Sequence, residues 1–338
     1  MDVPKCDVVA ADLTEPPKVD LHNHAEAYAR LEQLNAHRLG LTARDWGAAV
    51  LRLMDQVPPG VSRLLSLDAG LDVESLAELD RDPAFFRARL VSVLSDSAAA
   101  GAVFLEVRVG GETVFHPRLM EHFRAAERNV QERFPAFMAE MVVSWNQRGD
   151  AEHLEAARRA ALLLADDGLA GVDFHPYPSE TEANFEDTFR WAREARSAGL
   201  GVTCHAGEFS RANIRAALRI PGLTRIGHAV HATALSGVLE EMADRGITIE
   251  ACLTSNVVLG AVPSFEAHPL RQFMNAEVPV VLCSDDPVRL HTTIGREYDA
   301  ASRLGCSNEE LTRFTRNGVA AAFTTQKRRE QLKALVEA

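Results

Sequence analysis

The sequence HNH at residues 22–24 places two histidines one residue apart at the end of a short apolar run. Side chains alternate faces along a strand, so His22 and His24 are expected to point to the same side. Two imidazoles directed at one point can bind a metal ion. Taken alone, the pair is better explained as ordinary polar residues, and the rest of the chain has to decide.

Residues of similar type end three more apolar runs. His205 is followed by Glu208, His228 ends the next run, and Asp285 with Asp286 ends the last one. Three histidines and a carboxylate suit a borderline dication such as zinc, with one position left for water. Water on such a metal can have a pKa of about 7, which makes hydroxide available at neutral pH. Glu208 and His228 would remain to move protons and to stabilise developing charge.

Each of these residues also has a structural explanation. Glu208 could be a helix-capping or solvated loop residue, and His228 could be a core histidine bonded to the backbone. Asp285 and Asp286 could cap a helix that follows Pro287, because carboxylates favour helix N-termini. The coincidence of ligand-type residues at four strand ends favours the metal site over these separate explanations.

Eight apolar runs alternate with helical patterns along the chain. The runs lie at 19–24, 102–109, 137–145, 170–175, 201–208, 225–230, 247–256 and 279–286. The stretches 151–168 and 184–199 have helical spacing and end in glycine. Eight strand–helix units predict an α/β fold, a (β/α)8 TIM barrel, although a doubly wound sheet uses the same alternation. In a barrel the strand ends meet at one mouth, where enzymes of this fold keep their chemistry.

The segment from about residue 25 to 100 is too long for a simple first crossover. The stretches 25–40 and 43–67 predict extra helices inserted after strand 1, which would lie over the C-terminal mouth as a lid. Residues 307–310, SNEE, predict the start of a late helical region, since acidic residues favour a helix N-terminus. Nothing in the pattern divides the chain, so we expect a single domain over 1–338.

Composition narrows the classes of function. The net charge of −12 and the pI of about 5.5 argue against nucleic acid or an anionic membrane as partners, because the field repels phosphates. We expect neither a membrane span nor a secretion signal. Five cysteines without C-x-x-C spacing fit reduced thiols in a cytoplasmic protein: Cys6, Cys204, Cys252, Cys283 and Cys306. A small-molecule partner is therefore expected, and a homo-oligomer is left open.

A series of motifs in order resembles the adenosine and adenine deaminases of the metal-dependent amidohydrolase superfamily. They are KVDLHNH, TCHAGE followed by NIRAAL, RIGHAV, LCSDDP and TTIGREYDAA, and the resemblance extends from Pro17 over nearly the whole chain. It implies a (β/α)8 barrel with one catalytic divalent metal, usually Zn²⁺.

The same resemblance implies a role for each motif residue. The implied metal ligands are His22, His24, His205 and Asp285. Glu208 would protonate a ring nitrogen of the base, His228 would orient or activate the metal-bound water, and Asp286 would partner another ring nitrogen. Hydroxide would add to the carbon that bears the exocyclic amine, and the intermediate would lose ammonia. The metal, His228 and Asp285 would stabilise the attacking oxygen.

Two regions depart from the adenosine deaminase pattern. Glu26 stands where adenosine deaminases usually carry an aspartate that helps to hold ribose. Residues 174–180, FHPYPSE, replace a segment whose glycine backbone contacts the purine, and Pro176 has no N–H to donate. Glu26 and the Ser179-Glu180 pair resemble the adenine deaminase branch instead. Ala229 in RIGHAV also replaces a common glycine.

We therefore predict that adenosine is a poor substrate, and that Glu26, His175 and Tyr177 contact a different group. The leading hypothesis is a metal-dependent hydrolytic deaminase of an aminopurine base, nucleoside or related amino-heterocycle. An amidohydrolase that opens an amide or cyclic amidine at the same site is the alternative. A non-catalytic barrel that binds a ligand is a second alternative, but such a protein has no need of Glu208 and His228.

Overall fold

The computed structural model describes residues 16–25, 28–68, 81–146 and 150–337. Eight parallel strands follow one another in chain order around a nearly closed barrel. The strands are β1 (Lys18–His24), β2 (Ala102–Gly110), β3 (Met138–Asn146), β4 (Gly171–His175), β5 (Gly201–Ala206), β6 (Leu223–His228), β7 (Thr248–Ala251) and β8 (Val280–Leu282). The predicted (β/α)8 TIM barrel is confirmed. Two residues of the sequence argument, Cys6 and Glu26, lie outside the described residues.

The seam between the first and last strands closes just beyond β8. The backbone N–H of Asp285 donates to the carbonyl of His22 at 2.7 Å, and the N–H of His24 donates to the carbonyl of Asp285 at 2.6 Å. Asn23 and Asp285 form the corresponding parallel bridge. The same backbone that closes the barrel therefore also sets the positions of three predicted metal ligands.

One predicted strand is wrong in part. The run 247–256 forms only the short strand β7, and its second half turns into a helix at Leu253–Val258. The N–H of Asn256 donates to the carbonyl of Cys252 at 3.0 Å, in the i to i−4 pattern of a helix. The periodicity of a short apolar run does not distinguish a buried strand from a buried helix, so the boundary between β7 and this helix is not predictable from the pattern.

Helices cover the outside of the barrel. In chain order they are α1 (Tyr28–Arg38), α2 (Trp46–Gln56), α3 (Val61–Asp68), α4 (Pro83–Ala99), α5 (Leu119–Gln131), α6 (Ala151–Leu164), α7 (Glu186–Ser197), α8 (Ile214–Ala217), α9 (Val238–Asp244), α10 (Leu253–Val258), α11 (Leu270–Asn275), α12 (Ile294–Arg303), α13 (Asn308–Ala321) and α14 (Gln326–Glu337). The predicted helices at 151–168 and 184–199 correspond to α6 and α7. The start predicted at 307–310 is confirmed, since Ser307 and Glu310 form a capping box at α13.

Helices α1 to α4 lie between β1 and β2, where the insertion is predicted. The predicted stretch 43–67 is two helices, because Pro58 and Pro59 stand between α2 and α3 and a proline cannot donate a helical hydrogen bond. Both helices pack on the loops that follow β7 and β8, in an apolar cluster of Trp46, Val50, Leu53, Leu67, Val258, Leu259, Val288 and Leu290. This part of the insertion therefore lies on the C-terminal side of the barrel.

Charged side chains form a layer inside the barrel. Arg108 contacts Asp173 at 3.1 Å and Glu250 at 2.6 Å. Arg225 contacts Glu106 at 2.5 Å and Glu250 at 2.8 Å. All five side chains are fully buried, so each charge depends on its partners in place of water. We call these five residues the ionic layer. Among the described residues, no helix is long and apolar enough to cross a membrane.

Candidate active site

The four predicted metal ligands lie together at the C-terminal mouth of the barrel. The Nε2 atoms of His22 and His24 are 3.1 Å apart. The Oδ1 atom of Asp285 lies 3.6 Å from the first and 3.5 Å from the second. The ring of His205 has its centroid 4.5 Å from that of His22. Residues from β1, β5 and the end of β8 thus converge on one point, as their positions at strand ends predict.

Two carboxylates of the ionic layer hold two of these histidines from behind. Glu250 lies 3.0 Å from Nδ1 of His22, and Asp173 lies 3.0 Å from Nδ1 of His205. An ionised carboxylate only accepts, so in each neutral ring the proton is on Nδ1 and Nε2 carries a lone pair. Burial holds the pKa of both imidazoles well below the ordinary value, which keeps the rings neutral.

The donor set fits a divalent metal ion. Ligand atoms of His22, His24 and Asp285 all lie within 4.8 Å of one another, as do those of His22, His205 and His228, so a cation among them would meet several ligands at once. The pKa of Asp285 lies below its ordinary value, because His228 and His24 outweigh the opposing effect of burial. Imidazole nitrogens with one carboxylate are ligands that zinc accepts, and a carboxylate behind a ligating histidine is the usual support for such a ligand.

Strained backbone is concentrated at this mouth. His228, Ala229 and Asp285 have φ values of 64°, 52° and 61°, in the left-handed region that non-glycine residues seldom adopt. The φ value of Ala229 explains why glycine is common at this position, since glycine adopts this conformation without steric cost. Gly227 also lies close to a ligand, since a Cβ there would lie 3.1 Å from Cε1 of His22 and would press on that ring. Strain kept at a site indicates a functional constraint on it.

Glu208 and His228 lie beside the histidine cluster. Oε2 of Glu208 is 3.7 Å from Nε2 of His228. Burial, together with the nearby Asp285 charge, raises the pKa of Glu208 well above its usual value. Burial also lowers the pKa of His228 to about 4. The first group is therefore shifted toward the protonated form that can donate, and at neutral pH the second is a neutral imidazole.

Asp286 is already engaged by its own loop. Its carboxylate forms an ion pair with the guanidinium of Arg289 and accepts the backbone N–H of that residue at 3.2 Å. The alternative of a cap for a helix after Pro287 is wrong, because residues 287–291 form a turn and the next helix, α12, begins at Ile294 with Thr293 as its N-cap. Burial raises the pKa of Asp286. A contact between Asp286 and a substrate ring stays a prediction, and it would have to share the carboxylate with Arg289.

The other predicted substrate contacts have different surroundings. Nε2 of His175 lies 2.8 Å from Asp173, and its ring centroid is 3.7 Å from that of His205. His175 is thus adjacent to the metal-ligand cluster. Tyr177 is 49% exposed. Asn213 holds the loop that contains Tyr177, because its amide nitrogen donates to the carbonyls of Pro178 at 2.9 Å and Thr181 at 3.0 Å.

Sequence reasoning missed the residues behind the site. Asp173 and Glu250 fall within predicted apolar runs and are not singled out there, although each lies in a strand that ends near the mouth. The signal was available for Asp173, which stands two positions before His175 and so shares its face of β4. Asn256 and His268 lie behind His228, and the sequence offers no comparable signal for either. Asn256 falls in the half of the run 247–256 that is predicted as strand but is helical, and His268 falls in no predicted element.

A protein-family model described as "Adenosine deaminase" matches residues 79–338, which is more than half of the chain. An adenosine deaminase of Shewanella loihica is 33% identical over 346 aligned positions, which cover 95% of this chain and 98% of that protein. An adenine deaminase of Rhizobium leguminosarum is 38% identical over 188 positions, 55% of this chain and 56% of that protein.

The match spans only about half the length of this and several other adenine deaminases. A crystal structure of an Arabidopsis N6-mAMP deaminase has the same fold, with a TM-score of 0.75, 23% identity, and coverage of 95% of this chain and 98% of that one. The family resemblance predicted from the motifs is confirmed by the family model and by the full-length Shewanella relative. This chain belongs to the adenosine deaminase family.

Proposed function

We propose that this protein is a hydrolytic deaminase that acts on an aminopurine or a related amino-heterocycle and releases ammonia. The observation that carries the proposal is the convergence of His22, His24, His205 and Asp285 beside Glu208, whose pKa is raised by burial. Relatives named adenine deaminase and adenosine deaminase support the same reaction class. The enzyme would be a hydrolase that cleaves a carbon–nitrogen bond other than a peptide bond.

The proposed cofactor is one divalent metal ion, with zinc as the first candidate. His22, His24, His205 and Asp285 would hold it. When bound, such an ion is a Lewis acid that makes hydroxide available near neutral pH. Glu250 and Asp173 would fix the imidazole rings that face it.

Glu208 is the proposed proton donor to a ring nitrogen of the substrate. Protonation of the ring makes the carbon that bears the amine more electrophilic, and the neutral carboxylic acid is the form that can donate. His228 would hydrogen bond to the attacking water oxygen and orient it. Of the two protons of water, one replaces the proton given up by Glu208 and the other leaves on the amine as ammonia. The carbon–oxygen bond forms, and the carbon–nitrogen bond breaks.

The proposed substrate preference is adenine or a substituted aminopurine over adenosine. Glu26, Pro176 and the Ser179-Glu180 pair support it, as departures from the adenosine deaminase pattern. The side chain of His175 lies beside the cluster, near the atoms where the substrate would react. Tyr177 lies in a loop that Asn213 anchors, and its side chain is 49% exposed.

We also propose that the helical insertion at about 25–100 acts as a lid within a single domain. Helices α2 and α3 already pack on the loops after β7 and β8, and Arg63 donates to the carbonyl of Val258 at 2.9 Å. A cytoplasmic location is proposed because Cys204, Cys252, Cys283 and Cys306 are free and buried. The proposed partner is a small molecule, without nucleic acid or membrane, and a homo-oligomer is compatible with it.

Ammonia release from a panel of aminopurines tests the proposal. We expect turnover of adenine or a substituted aminopurine, loss of that turnover in chelator, and recovery when zinc is added back. For adenosine we expect kcat/KM below about 10⁵ M⁻¹s⁻¹, under the range of a good substrate. Mass spectrometry of the product separates deamination from ring opening, which the amidohydrolase alternative predicts. Binding of an aminopurine without any turnover would contradict the proposal and favour the non-catalytic barrel.

A further inference from the structure

A buried chain of hydrogen bonds runs behind His228, away from the metal-ligand cluster. Nδ1 of His228 lies 3.1 Å from the amide nitrogen of Asn256, on α10. The amide oxygen of Asn256 lies 3.1 Å from Nε2 of His268, in the segment before α11. Nδ1 of His268 accepts the backbone N–H of Leu270 at 3.1 Å. All three side chains are buried, with exposed fractions of 1%, 0% and 6%.

The donors and acceptors along this series of hydrogen bonds follow from its end at Leu270. A backbone N–H can only donate, so Nδ1 of His268 must accept from Leu270. In the neutral ring the proton of His268 is then on Nε2, and it donates to the amide oxygen of Asn256. The amide nitrogen of Asn256 is left to donate to Nδ1 of His228. Burial lowers the pKa of His268 to about 3, so this ring is neutral.

The opposite orientation of Asn256 is excluded by the same bonds. A flipped amide would set its NH₂ group against the Nε2–H of His268, two donors in a buried contact with no acceptor between them. It would also set the amide oxygen against Nδ1 of His228. Since the Leu270 N–H fixes the first ring, every following donor and acceptor is determined.

We propose, as a refinement that rests on the proposed function, that Asn256 and His268 are positioning residues which keep the proton of neutral His228 on Nε2. His228 then presents a hydrogen-bond donor to the reacting centre, on the side where Glu208 lies 3.7 Å away. Its lone pair on Nδ1 is occupied by Asn256. His228 therefore orients and stabilises the attacking oxygen through its N–H, and it does not take a proton from that oxygen.

The first test changes the donor and acceptor pattern of these hydrogen bonds while the side chain at position 256 keeps its shape. In Asn256→Asp the carboxylate accepts from both rings, so the proton of His228 moves to Nδ1. Long-range ¹H–¹⁵N spectra of full-length protein labelled with ¹⁵N-histidine distinguish the two tautomers, and His228→Gln identifies the signals. We expect Nε2–H in the wild type and Nδ1–H in Asn256→Asp. Nε2–H in both proteins would overturn the proposal.

Kinetics provide the second readout. We expect Asn256→Asp to lower kcat about 10- to 100-fold with KM within about twofold, somewhat less than the usual loss of an oxyanion donor because the imidazole remains. The matched control is Asn317→Asp, since Asn317 donates to the carbonyl of Val280 at the far end of β8 and faces no histidine of the site. An equal loss of kcat in the control would overturn the positioning role.

A pair of changes at His268 tests the proposal if Asn256→Asp does not fold. Gln in His268→Gln can still donate an N–H to Asn256, whereas Leu in His268→Leu cannot. We expect His228 to keep Nε2–H in the first variant and to populate both tautomers in the second. Identical spectra for the two would overturn the proposal. Because the spectra need no substrate, the tautomer is decided even if the wild type deaminates nothing, and that result would count against the proposed function alone.

Discussion

In the ionic layer Arg108 and Arg225 each lie between two carboxylates, whereas at the mouth the imidazoles of His22 and His24 lie against each other and against the Asp285 carboxylate. Both regions are buried and polar, and Glu250 takes part in both. The ionic layer contains its own opposite charges. The mouth instead brings together the ligand atoms of histidines and a carboxylate, whose positive partner would be a bound metal ion.

The difference separates groups that hold the fold from groups that do chemistry. Loss of one partner of a buried ion pair lowers the free energy of unfolding, because the other charge is left buried and unpaired. A cluster of lone pairs is instead a cost to the fold until a cation binds. Substitutions in the ionic layer should therefore change the free energy of unfolding, and substitutions at the mouth should change activity or metal binding.

The largest effect is expected at Glu208. Replacement in Glu208→Gln removes the donated proton and keeps the size of the side chain, so kcat should fall by about 10²–10⁴. Metal content and the denaturant midpoint should stay at the wild-type values, because Glu208 is not among the proposed ligands. Steady-state kinetics and elemental analysis measure the two. Wild-type turnover in this variant would place the proton donor elsewhere.

The next effect concerns the ionic layer. Arg225→Met leaves Glu106 and Glu250 without their shared guanidinium, and removal of one member of a buried pair costs about 3–5 kcal/mol of unfolding free energy. Urea denaturation measures the loss. The matched control is Arg245→Met, since Arg245 pairs with Glu241 on the surface and such a pair contributes about 0–1 kcal/mol. Equal midpoints for the two variants would mean that burial does not distinguish the pairs.

A buried carboxylate outside both regions gives a pH-dependent effect. Glu297 accepts from the backbone N–H of Thr254 and the hydroxyl of Thr292, and burial raises its pKa to about 7 from 4.5. Its protonated form is favoured by folding, so the stabilisation is complete below about pH 4.5 and is lost as the pH rises toward 7.

Glu297→Gln imitates the protonated group at every pH. Relative to the wild type, its unfolding free energy should therefore increase between pH 5 and pH 8, by about 3 kcal/mol. Denaturation at both pH values measures this, with the exposed Glu152→Gln as control. A constant difference between variant and wild type across that range would show that Glu297 is ionised throughout.

The smallest effect tests a residue that belongs to both regions. Asp173 pairs with Arg108 and also holds His205, and against the opposing effect of burial the Arg108 guanidinium keeps the pKa of Asp173 well below its usual value. Asp173→Asn should weaken metal binding about 10- to 100-fold, the usual effect of losing a carboxylate behind a ligating histidine. Competition with a chromogenic chelator measures it, and the exposed Asp187→Asn serves as control. A metal affinity equal to wild type would confine Asp173 to the fold.

Strand ends were predictable because parallel strands bring their carboxyl ends to one side, so ligand-type residues there report a shared site. That reasoning predicts that the histidines and carboxylates at the strand ends meet at one mouth, and the family resemblance selects His22, His24, His205 and Asp285 among them as ligands. It failed at 247–256, where the apolar run continues from β7 into α10 without a change in composition. Asn256 was therefore read as a strand residue, and its contact with His228 could not be anticipated.

Pairings across the barrel were also out of reach of the sequence. Whether Asp286 faces a ligand or Arg289 depends on how one turn is folded, and both outcomes use the same residues. The charges of the ionic layer come from strands far apart in the chain, so their pairing follows from barrel geometry. Only the alternation along β4, which places Asp173 on the face of His175, could have pointed to one of them.

The seam between β1 and β8 determines when the site can exist during synthesis. Asn23 and Ser284, which hydrogen bond at this seam, are 261 residues apart in the chain. A ribosome adds about 5–20 residues per second, so β1 waits many seconds for its partner. His22 and His24 are made before the other proposed ligands, and Asp285 is made last of the four. The complete ligand set therefore forms only as the barrel closes, and the nascent chain can present no more than part of it to a metal ion.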